Sequence, residues 1–147
     1  MAVISGGAAL ERKLTELSNQ VQKAATVEIG FPENSSYPNG TSVPLVAFIQ
    51  EFGAPSKNIP PRPYFRQMIA DKSPEWPDAI ASLLKSTNYD AAATLDIAGQ
   101  AIKAQLQQSI SQFNGVPLKP STIAAKGSAK QLVDTGQMLR SVDYKVT

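Results

Sequence analysis

Three prolines within four positions, Pro60, Pro61 and Pro63, constrain what this chain can fold into more than any other feature. Each ring fixes its own φ near about −65° and pushes the residue before it towards extended geometry. The stretch around Ile59 and Arg62 is therefore expected to be a stiff, polyproline-like strut and not a loose loop. Upstream, Leu45, Phe48, Ile49 and Phe52 repeat at helical spacing, with Pro44 suited to a first helical position and Gly53 to a C-terminal cap. Downstream, Tyr64, Phe65, Met68 and Ile69 have the spacing of one helix face, with Arg62 and Arg66 close by. A strut ending in two aromatic rings and two guanidinium groups suits docking better than chemistry. The competing reading is that the same rings fill the domain's own core.

Composition narrows the function further. The 147 residues are about one domain's worth, enough for a modest core. Lys plus Arg number 14 against 12 Asp plus Glu, a net charge of +2, which is too small an excess for a dedicated nucleic-acid binder. With no cysteine and no histidine, disulfides, thiolate–zinc sites and histidine-based acid–base catalysis are excluded. No Gly-rich phosphate loop is present, and no cofactor is expected. The opening MAVISGG does not read as a secretory signal, and nothing approaches the roughly 20 apolar residues of a membrane span, so a soluble intracellular product is expected. The sequons at Asn34 and Asn39 read as turn chemistry.

Taken in order, the chain alternates helices with two short extended runs. Leu10, Leu14, Leu17 and Val21 form one apolar stripe on a helix predicted over about Ala8–Ala25, suited to packing on a sheet or on another subunit. Val27, Ile29 and Phe31 alternate with Glu28 and Gly30, as in a half-buried strand. Pro38-Asn39-Gly40 marks a turn in the polar run that follows. Ser73 can cap a helix with Pro74 at its first position, presenting Trp76, Ile80, Leu83 and Leu84. Leu95, Ala98, Ile102, Leu106, Ile110 and Phe113 mark one stripe of a helix over about Asp90–Phe113, on the order of 35 Å long. Positions 114–130 have linker composition and three lysines, Lys119, Lys126 and Lys130. Asp134 and Gln137 suit a capping box before Met138 and Leu139, and Val142, Tyr144 and Val146 alternate as a last strand beside Val27–Phe31. The expected fold is one α+β domain over 1–147, with a small, mostly antiparallel sheet flanked by helices, one of them long.

Three local motifs suggest other chemistry. Asp134-Thr135-Gly136 matches the nucleophile loop of aspartic proteases, but the residues after it continue as a helical pattern in a chain poor in strands. Lys57, Pro60 and Pro63 fit a basic proline-rich peptide ligand, yet run straight into an aromatic pair that looks like core. The lysines at 119–130 could contact nucleic-acid phosphate or simply be solvated.

Three blocks in order resemble one family. VEIGFPENSSYPNGTSVPLVAFIQEFG, then FIQEFGAPSKNIPPRPYFRQMI, then PSTIAAKGSAKQLVDTGQMLRSVDYKV are similar to the head–tail joining and tail-completion (neck, minor tail) proteins of tailed bacteriophages, over about Thr26–Val146. The resemblance implies a non-enzymatic virion protein assembled in the host cytoplasm as a homo-oligomer, a hexameric ring at the neck. Its implied neighbours are the head connector or adaptor and the tail terminator or tail-tube proteins, with DNA only as passing contents of the lumen. No catalytic residue is carried over. Arg62, Tyr64, Phe65 and Arg66 are expected to make or brace contacts between subunits, and Lys119, Lys126 and Arg140 to lie at contacts with subunits or neighbours.

Overall fold

The computed structural model describes residues 6–113 and 136–147. In chain order its elements are α1 (Gly7–Val21), β1 (Val27–Gly30), α2 (Val43–Phe52), α3 (Tyr64–Lys72), α4 (Trp76–Ser86), α5 (Ala91–Gln112), α6 (Gln137–Arg140) and β2 (Asp143–Val146). The long stripe expected from the sequence becomes α5, against which α1, α3, α4, α6 and both strands pack. Its start is set chemically. Asn88 and Tyr89 take left-handed backbone geometry (φ 53° and 63°), reversing the chain. Asp90 then caps the helix, its Oδ1 accepting from the Ala93 N–H at 3.0 Å. Asp90 also pairs with Lys23 at 2.6 Å, tying the segment after α1 to the head of α5.

The buried face of α5 contains Ala98, Ile102, Leu106 and Ile110, as periodicity predicts. Fully burying a side chain such as Leu106 or Ile110 contributes roughly 1.5–3 kcal/mol. Val43 and Ala47 of α2, Tyr64 and Met68 of α3, Met138 of α6 and Val142 join Ile102, Leu106 and Ile110 in one cluster. Trp76 packs against this cluster and donates its indole N–H to Gln105 Oε1 at 3.0 Å, consistent with the core reading of the single tryptophan.

The two strands pair antiparallel, Val27 opposite Val146 and Gly30 opposite Asp143, which is the terminal-strand arrangement expected from the alternation. The N–H groups of Ala25 and Thr26 both reach the Thr147 carbonyl, extending the pairing by a step. One face of this ribbon lies on α5. Gly99 makes the approach possible, because a Cβ there would overlap the Tyr144 ring. Tyr144 in turn donates to Asp96 at 2.7 Å, and Lys103 pairs with Asp143 at 3.0 Å. The result is an α+β fold with a two-stranded antiparallel sheet.

Three boundaries and faces differ from expectation. The first helix ends at Val21, short of Ala25, and has no buried residue. Ser73 does not cap a helix. Ser73–Glu75 forms a tight 3-10 turn and α4 begins at Trp76, with Pro77 in its first turn, where a missing N–H costs nothing. In α3, Tyr64 and Met68 are buried, Phe65 is half-buried and Ile69 is exposed, so the four apolar residues do not share one environment.

Candidate functional site

The elbow between α2 and α3 is held by hydrogen bonds from both of its sides. Helix α2 starts at Ser42, whose hydroxyl accepts from the Leu45 N–H, and it ends at Gly53, as the sequence suggests. The turn before it is also as read. Asn39 Oδ1 accepts from Thr41 N–H, Gly40 has φ 84°, and Ser36 bridges Ser42 across the tip. After Gly53 the chain makes a tight turn at Pro55–Lys57, closed by pairing between Ala54 and Ile59. The proline strut is not free-standing. Arg62 returns to the end of α2, its N–H bonding the Gln50 carbonyl at 2.7 Å and its Nη1 the Gln50 Oε1 at 2.8 Å.

Pro63 precedes α3 and has no side-chain acceptor with which to cap it. The cap comes from elsewhere. Glu51, on the buried side of α2, accepts from the Phe65 N–H at 2.9 Å and the Arg66 N–H at 3.2 Å. With the Tyr64 N–H on the Arg62 carbonyl and the Gln67 N–H on the Pro63 carbonyl, the first-turn donors of α3 are satisfied. The carboxylate also pairs with Arg66 Nε at 2.8 Å, while Arg66 Nη2 reaches the Glu51 carbonyl at 3.3 Å. A negative group at the positive end of α3 is favoured by the helix dipole as well. One buried carboxylate therefore joins both helices and sets their angle.

This arrangement decides which way α2 faces. Val43, Ala47 and Glu51 are inward, and the larger apolar residues Leu45, Phe48 and Phe52 are 54%, 60% and 49% exposed. Phe48 and Phe52 stack with ring centroids 4.7 Å apart, and the Arg66 guanidinium lies 4.7 Å from the centre of the Phe52 ring. Beside them an apolar groove of about 310 Å³ opens, with Gly30, Phe31, Ala47, Phe48, Phe52 and Arg66 among its lining residues. A ladder of two rings and a guanidinium over a rigid support has the composition of an interface core.

The residues expected at contacts separate into five groups. Tyr64 is only 1% exposed, so it is a core residue and corrects the expectation of a surface role. Its hydroxyl donates to the Ala47 carbonyl at 3.2 Å and its own carbonyl accepts from Ser109 at 2.7 Å, which locks α3 between α2 and α5. Arg62 is 6% exposed and can only brace the elbow from inside. Its Nε is buried without a partner among the described residues, and burial holds its pKa below the ordinary value. Phe65 and Arg66 do reach the groove. Arg140 is exposed on α6, far along the chain from the elbow, with Gln137 Oε1 as its neighbour at 3.4 Å. Lys119 and Lys126 lie outside the described residues, as do Lys130 and Asp134.

The Tyr64 phenol has a measurable consequence. Burial first, then the nearby Glu51 and Tyr37, push its pKa well above the ordinary value. Above pH of about 10 the unfolded chain loses this proton and the folded chain keeps it, so stability falls as pH rises. Urea midpoints measured near pH 8 and near pH 11 should drop more in the wild type than in Tyr64→Phe. Equal drops would show that the phenol does not supply the alkaline sensitivity.

No protein-family model matches this chain, and no curated protein and no solved structure matches it either. Among the described residues no group of three or more acidic side chains is placed to hold a metal, and no helix is long and apolar enough to cross a membrane.

Proposed function

We propose that this protein is a non-enzymatic structural subunit of the neck of a tailed bacteriophage. In this reading it forms a homo-oligomeric ring, a hexamer, that joins or completes the tail at the head–tail connector. Its neighbours are a head connector or adaptor on one side and tail-terminator or tail-tube proteins on the other, with DNA only passing through the lumen. Two things support the reading. The first is the resemblance of three ordered sequence blocks to neck proteins. The second, which carries it, is the exposed ladder of Phe48, Phe52 and Arg66 on a proline-stiffened, carboxylate-pinned corner. A subunit whose task is to hold neighbours at fixed angles needs rigid corners and heterologous contacts.

Deleting the gene from the phage or prophage that carries it is the direct test. Electron microscopy of the lysate should reveal DNA-filled heads and separate tails in place of joined particles, with infectious titre lost and restored by complementation. Intact, infectious particles from the deletion, or absence of the polypeptide from purified wild-type virions, would overturn the reading.

A further inference from the structure

Among the described residues two apolar surfaces stand exposed, one a helix ridge and the other a groove. One is convex. The stripe of α1 leaves Leu10 61%, Leu14 57% and Val21 46% exposed, and no residue of that helix is buried. An isolated helix of 15 residues is marginal in water, so a helix carrying such a stripe gains most from a partner that covers it. The other surface is concave, the groove beside Phe48 and Phe52.

We infer that α1 of one copy docks in the α2–α3 groove of the next, a head-to-tail contact between identical chains. It rests on the assembly reading above and gives that assembly its junction. Charge favours the pairing. Glu11 flanks the apolar stripe on one side, and Lys13 on the other is already paired with Glu16 at 3.0 Å, while Arg66 lines the groove, 56% exposed at its side chain, with Nη1 unengaged among the described residues. The occupant is a second copy and not the chain's own α1. Lys23 is held by Asp90, and the Ala25 and Thr26 N–H groups are held by Thr147. With its C-terminal end so tied, α1 lies against α5, and none of its residues lines the groove.

The geometry also sets the strength. One face of a helix about 22 Å long and about 10 Å across covers less than the roughly 800 Å² per partner of a standard interface. Each junction is therefore weak alone, and assembly depends steeply on concentration. Because the ridge and groove differ, each subunit makes the contact twice, once with each surface, and a chain of such contacts closes into a ring when the rotation allows.

The test uses the full chain and two surface variants, Leu14→Asp to spoil the ridge and Phe48→Asp to spoil the groove. Both positions are more than half exposed, so each variant should keep the wild-type circular dichroism, with Phe48→Asp melting only a few degrees lower for its lost ring contact with Phe52. By native mass spectrometry and light scattering over a concentration series, the wild type should grow past a dimer. Each variant alone should associate at least about thirtyfold more weakly, the scale of a hot-spot loss. Mixed one to one, the variants should form a heterodimer and nothing larger, since only one intact ridge then meets one intact groove. A wild type that stays monomeric to its solubility limit overturns the inference, as does a single variant that still self-associates like the wild type, or a mixture that stays monomeric. The two readings fail separately. If Leu14→Asp protein still builds joined, infectious particles, the ridge–groove junction is wrong and the neck assignment stands.

Discussion

Gly53→Ala is expected to cost about 3 kcal/mol or more, a fall of about 10 °C in melting midpoint for a chain of this size. Two separate causes add. Gly53 has φ 76° and ψ 176°, a region that residues with a Cβ scarcely enter. A Cβ at that point would also stand 2.7 Å from the Ile59 carbonyl oxygen and 2.8 Å from the Pro61 nitrogen, both main-chain atoms of the strut. Neither can swing aside as a flexible side chain could. Gly40→Ala provides the contrast, with φ 84° but nothing within 4 Å of the added carbon. That variant should lose only about 1 kcal/mol, by backbone strain alone. Calorimetry on the two proteins compares strain plus collision with strain at an open site, and equal losses would mean that the strut does not lie tightly against the end of α2.

Glu51→Ala is the second large effect, at about 3 kcal/mol. The substitution removes the acceptor for the Phe65 and Arg66 N–H groups, and Pro63 has no side-chain acceptor to replace it. Losing a helix cap costs about 1 kcal/mol, and hydrogen bonds to a charged group contribute about 1.5–3 kcal/mol. Glu51→Gln keeps one acceptor oxygen and should lose about half as much. Arg66→Ala should cost within about 1 kcal/mol, because that guanidinium is largely exposed and its ion pair is screened. Urea denaturation of the three variants gives the ranking. If Arg66→Ala were as damaging as Glu51→Ala, the ion pair and not the cap would hold the elbow.

Much of this architecture is legible in the residues themselves. The stripe from Ala98 to Ile110, the Asp90 cap, the Gly53 stop and the pairing of the two short strands all follow from periodicity and turn chemistry acting locally. The orientation of α2 does not. Its sequence, VPLVAFIQEF, is apolar almost all round, so the largest side chains suggest a face without saying which face is covered. What decides is a long-range requirement. Glu51 must turn inward to meet N–H groups fourteen and fifteen residues on, and this leaves Phe48 and Phe52 outside. The same blindness applies to Arg62, whose charge reads as surface but whose position is set by two bonds to Gln50. For the candidate surface, the sequence singles out the strut, Phe65 and Arg66, shows Phe48 and Phe52 only as a helical repeat, and leaves Tyr64 open between contact and core, which its burial decides for the core.

The pairing of Val27 with Val146 has a kinetic corollary. Nearly all of the polypeptide separates those partners, so the ribbon can zip up only after a very large loop has closed. Contacts among α3, α4 and α5 span far shorter stretches and can condense quickly. The ribbon is thus the late step of the folding reaction. A chain caught before it would still carry a formed helical body, with the α5 surface around Gly99 open to whatever strand arrives first.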